Sequence, residues 1–119
     1  MNPILETLEE LRRVAGVKGC MVVTNDGLVV AQSLGPRYRE DIVAGLSSYL
    51  TMSTNKALEE GGLGGFESFT LHAAHGKSVF WSIGEAFLVV LMDQFADLEG
   101  ARRDIQASVQ RLRRSARIA

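Results

Sequence analysis

Disulfide pairs, long apolar runs and an excess of one charge are all missing from this sequence, and each absence removes a class of function. The single cysteine, Cys20, excludes an intrachain disulfide framework and fits a reducing compartment. The longest apolar stretch, "AFLVVLM", is strand-sized and far short of the roughly 18 residues a membrane span needs. Lys and Arg number 13 against 14 Asp and Glu, a net charge of −1, so nothing in the balance points to nucleic acid or an anionic membrane. The opening "MNPILETLEE" has no basic region followed by an apolar run and does not read as a signal peptide. Repeats, low-complexity tracts and linkers are absent as well. The 119 residues predict one soluble, cytoplasmic domain spanning 1–119.

Chemistry is equally sparse. Gly76-Lys77-Ser78 matches the end of a phosphate-binding P-loop, but Leu71 stands where the first glycine belongs. The Val, Phe and Trp that follow favour a strand, whereas a P-loop leads into a helix. "AAHGKS" reads instead as a hairpin turn, with Gly76 supplying a positive φ. "GGLGG" follows a helix and lacks the spacing of a dinucleotide fingerprint. His72 and His75 have no second cluster of ligands beside them in the sequence, no "GxSxG" elbow occurs, and Cys20 between apolar neighbours reads as a small buried hydrophobe. No catalytic residue, cofactor or metal is therefore assigned, and the reading is that the protein is not an enzyme.

What the chain does contain is punctuation. Asn2-Pro3 followed by Glu6, Glu9 and Glu10 opens a helix, with Ile4, Leu8, Leu11 and Val14 on one face, ending near Gly16. Two apolar strands, about 18–25 and 28–33, flank the hairpin signal Asn25-Asp26-Gly27. A second helix runs from about 39 to 60, stopped by "EGGLGGF". Strands follow at about 66–73, 78–83 and 86–92, and a third helix carries Leu98, Ala101, Ile105, Val109 and Leu112 on one face. The predicted order is α1-β1-β2-α2-β3-β4-β5-α3. The first and fifth strands are apolar on both alternating faces, which places them near the centre of an antiparallel sheet covered on both sides, a three-layer α/β/α sandwich.

The second helix carries most of the functional information, because Ile42 to Asn55 contains no charged residue. One stripe (Val43, Leu46, Leu50, Ser53, Ala57) is expected to pack on the sheet. A second (Ile42, Gly45, Tyr49, Met52) would then be left wet in a monomer. The third face (Ala44, Ser47, Ser48, Thr51, Asn55) is small and neutral. An uncharged outer face is normally covered by something. The second stripe is therefore assigned to a homodimer, together with Phe66, Ser68 and Thr70 on an edge strand that lacks proline and lysine. Ala44, Ser48, Thr51 and Asn55 are assigned to a further partner. At the C-terminus Arg111, Arg113, Arg114 and Arg117 favour the end of a helix dipole and can also meet an acidic partner.

Element order, "LEELRRVAGVKGCMVVTNDGLVVA", the neutral second helix, "GLGGFESFTLHAAHGKSVFWSIGEAFLVVLMD" and the closing amphipathic helix together resemble the Roadblock/LC7 family, along essentially the whole chain. The leading helix separates the pattern from related longin domains. The resemblance, to MglB-like bacterial members of the family, implies a profilin-like fold and a non-catalytic dimer paired through α2 and β3. It further implies that this platform binds a small Ras-like, MglA-like GTPase and modulates its cycle in signalling. The alternative it allows is a dimeric scaffold or adaptor in a signalling or transport complex, with no effect on GTP hydrolysis.

Overall fold

The computed structural model of the chain describes residues 2–116. The elements are α1 (Pro3–Arg12), β1 (Val17–Thr24), β2 (Val29–Leu34), α2 (Glu40–Glu60), β3 (Ser68–Ala73), β4 (Gly76–Ser82), β5 (Ala86–Met92) and α3 (Leu98–Ala116), in the predicted order. Local chemistry sets the helix ends. The Asn2 side chain accepts the backbone N–H groups of Ile4 and Leu5, at 3.0 and 3.3 Å, and Pro3 occupies the first turn where no N–H is needed. Helix α2 ends in a Schellman-type closure: Gly62 takes a φ of +76°, Leu63 N–H donates to the Leu58 carbonyl and Gly62 N–H to that of Glu59.

All strand pairs are antiparallel, in the order β2-β1-β5-β4-β3. The apolar strand β5 is central with β1 beside it, and both are almost entirely buried. Helices α1 and α3 pack on one face around Leu8, Leu11, Cys20, Leu88, Val90, Ile105, Val109 and Leu112. Helix α2 covers the other face alone, over Met21, Val23, Phe80, Phe87 and Val89. This is the expected three-layer sandwich.

Two local readings are corrected. Gly76 is not among the glycines with positive φ; it already belongs to β4, where an added Cβ would stand 3.0 Å from the Met92 carbonyl oxygen. The requirement there is close approach of two strands. Helix α2 also faces the sheet differently from the prediction. Ala44, Ser47 and Thr51 point inward and are buried, while Leu46, Ser53 and Ala57 of the expected packing stripe are exposed and Val43 and Leu50 are half-buried. The surface beneath carries Phe66, Phe80, Phe87 and Met21, whose bulk leaves space only for small residues on the helix.

A candidate interaction face on helix α2

Rotation of α2 lays Ile42, Leu46, Tyr49 and Met52 along one outward stripe, exposed by 49, 61, 69 and 59%. Their spacing of four, three and three residues makes them neighbours on one helix face. Gly45 lies among them, and an added Cβ there would meet nothing within 4 Å. The stripe holds no charge, which is unusual for a face with this exposure.

The two edges of the sheet differ in how they invite pairing. Strand β2 is interrupted by a bulge: Val22 pairs with Ala31 and Val23 with Val29, leaving Val30 unpaired, and the Gln32 side chain takes the Leu34 N–H. Bulges of this kind discourage edge pairing. Strand β3 pairs with β4 without a break from Ser68 to Ala73, so its outer edge is straight. On the α2 side of that edge Leu71 is 40% exposed, and a hollow of about 270 Å³ lies between Leu71, Ala73, Leu91 and Tyr38.

Of the residues assigned to a dimer, Ile42, Gly45, Tyr49 and Met52 share the outward stripe, Ser68 is exposed and Thr70 half-buried on the edge strand. Phe66 is not available: it is buried in its own chain, edge-on to Phe69 at 5.2 Å, and Phe69 stacks on Phe80 at 4.7 Å. Of the four residues assigned to a further partner, Ala44 and Thr51 are buried against the chain's own sheet. Asn55 is half-buried and its side-chain oxygen accepts the Phe66 N–H at 2.8 Å. Ser48, also half-buried, donates to the Gly45 carbonyl. A face spent on the intramolecular core cannot also meet another protein. Leu46, like Ser53 and Ala57, is expected on the sheet side and faces outward; it lies four residues after Ile42 and three before Tyr49, so its spacing is readable in the sequence but its direction is not.

Elsewhere, burial pushes the Cys20 thiol up to about 12, with the nearby Arg12 guanidinium opposing, and its Sγ–H donates to the Leu8 carbonyl oxygen at 3.2 Å. Such a thiol is inert. His72 lies on β3 opposite Lys77, and no group of three His, Cys, Asp or Glu among the described residues could hold a metal ion. Arg111 is ion-paired with Glu10 of α1, Arg113 donates to the Ser82 carbonyl at 3.1 Å, Arg114 is exposed, and Arg117 lies outside the described residues. No helix among the described residues is long and apolar enough to cross a membrane.

Comparison with known proteins bears on the family and the fold. A model of the Roadblock/LC7 domain matches residues 3–92. The protein MJ0714 of Methanocaldococcus jannaschii is 38% identical over 91 residues, covering 76% of this chain and 77% of the relative. Among solved structures, Myxococcus xanthus MglB superposes with a TM-score of 0.88 at 18% identity, covering 94% of this chain and 86% of that one. The gliding protein MglB from Thermus thermophilus gives 0.86 at 22% identity, covering 98% and 90%. At these identities the two structures speak for the fold.

Proposed function

The chain belongs to the Roadblock/LC7 domain family, and on that premise we propose that it is a non-catalytic, cytoplasmic homodimeric regulator that binds a small Ras-like GTPase and modulates its cycle. The observation that carries this reading is the uncharged stripe Ile42, Leu46, Tyr49 and Met52, exposed on α2 beside the straight free edge of β3. A two-fold axis through that edge would pair two β3 strands and lay two α2 helices together above them, an isologous contact. Full burial of one such side chain stabilises by about 1.5–3 kcal/mol. Covering the stripe on two copies thus contributes a favourable term against the roughly 4–15 kcal/mol that association itself costs. With Ala44, Thr51 and Asn55 turned to the sheet, the GTPase contacts are proposed to come from the outer residues that the sister helix leaves uncovered, Ser53 and Ala57 among them.

The test is capture from native lysate on the immobilised protein, with excess GTP analogue or GDP and identification by mass spectrometry. Enrichment of a Ras-like GTPase mainly with the GTP analogue supports regulation of a GTPase cycle. The same complex recovered with either nucleotide and lacking any GTPase sinks that reading and leaves a scaffold.

A further inference from the structure

Helix α3 has a polar stripe that neither the core nor the α2 face uses. Arg103, Gln106, Gln110 and Arg113 follow one another by three, four and three residues, so they line one side of the helix, with the two arginines roughly 15 Å apart at 1.5 Å of rise per residue. This stripe lines an open groove of about 600 Å³ together with the half-buried Trp81 of β4 and Glu67, just before β3. The groove opens on the face of the sheet opposite α2, because Trp81 packs with the α1/α3 core.

We propose that this groove docks an acidic, extended peptide segment of a partner protein. The charges are arranged for it. Arg102 is ion-paired with Glu99 and Arg111 with Glu10, whereas Arg103 is exposed and makes no hydrogen bond or ion pair among the described residues. Arg113 gives one N–H to the Ser82 carbonyl and makes no other hydrogen bond or ion pair among the described residues. Guanidinium forks match carboxylates in a bidentate geometry, and the glutamine amides between them match both the donors and the acceptors of a peptide backbone. Tryptophan and arginine are also the side chains that most often dominate binding energy at protein interfaces. A segment extended at about 3.3 Å per residue spans the arginines with carboxylates four or five residues apart. Ala107, between the two glutamines, allows its backbone close to the helix. Nucleic acid fits less well, since the lining offers two separated guanidinium groups beside Glu67 and lacks the continuous positive track that a phosphate backbone needs.

Trp81 is the one tryptophan of the chain, so its fluorescence reports on the groove directly. Titration of the 119-residue chain with a tryptophan-free oligoglutamate peptide should give a saturable, salt-sensitive change in emission, and oligolysine should give none. Arg103→Glu should weaken the binding about tenfold, while Arg114→Glu, the same charge change on the same helix outside the groove, should leave it within about twofold. Arg103→Gln, which removes the charge without reversing it, should weaken it too and guards against a folding artefact. The proposal is overturned by an unresponsive Trp81, by equal weakening from both charge reversals, or by single-stranded oligothymidylate binding as tightly as the peptide.

Discussion

Two single positions set hard limits on what this chain tolerates. Gly16 follows α1 with a φ of +89°, and its carbonyl accepts the Asp93 N–H, tying the helix exit to the end of β5. An added Cβ would stand 2.5 Å from the Ala96 Cβ. Gly16→Ala therefore combines left-handed backbone strain with overpacking, and should lower stability by about 2–4 kcal/mol, read as a lower urea midpoint with an unchanged slope. Cys20 limits the chemistry. Because burial raises its thiol from 9.0 to about 12, the folded protein should not react with a thiol reagent near neutral pH and should react only on unfolding. The linkage has a definite sign: between these two values the unfolded chain loses the thiol proton and the folded chain keeps it. The contribution is complete below pH 9.0 and is lost as pH rises towards about 12, at up to about 1.4 kcal/mol per pH unit. Comparing the alkaline decline of the wild type with that of Cys20→Ala isolates this component; identical slopes would refute it.

At the scale of elements, helix α2 decides between two kinds of substitution. Ala44 is buried over the Phe80 and Phe87 side of the sheet and Leu46 is largely exposed, the reverse of what periodicity alone predicts. Ala44→Leu should cost about 1–3 kcal/mol by overpacking, whereas Leu46→Asp should leave the fold almost as stable and act on assembly alone. If Leu46→Asp instead unfolds the protein, this orientation of the helix is wrong. The same pair explains what was legible in the sequence. Starts and stops are written in local chemistry, as at Asn2-Pro3, Asn25-Asp26-Gly27 and the glycines after Glu60, and the doubly apolar β5 marks the sheet centre. The direction of α2 is not local. With no charge from Ile42 to Asn55, no face is marked as solvated, and which side turns inward is decided by the aromatic side chains contributed by β4, β5 and the segment before β3. Phe66 and Asn55 are likewise turned inward by tertiary contacts: the Phe66 ring packs edge-on to Phe69, and the Asn55 side chain accepts the Phe66 N–H.

For the whole molecule, the apolar surface has a consequence for how stability depends on concentration. One subunit leaves Ile42, Leu46, Tyr49 and Met52 exposed beside a straight edge strand, while its other edge carries a bulge, so the proposed association would be directed to one side and would stop at a closed pair. If the pair forms only between folded subunits, mass action links folding to assembly. The thermal midpoint should then rise with total protein concentration, each tenfold increase adding roughly 1.4 kcal/mol per dimer. Tyr49→Arg places a charge in the middle of the stripe, and its side chain is already 69% exposed in the single subunit, so the monomer should fold as before. The variant should show a concentration-independent midpoint and half the wild-type mass in light scattering. The groove on α3 lies on the opposite side of the sheet, so Tyr49→Arg should leave the Trp81 response to oligoglutamate intact. Loss of that response together with the dimer would mean that the two faces are not independent, and that the α3 groove is completed by the second subunit.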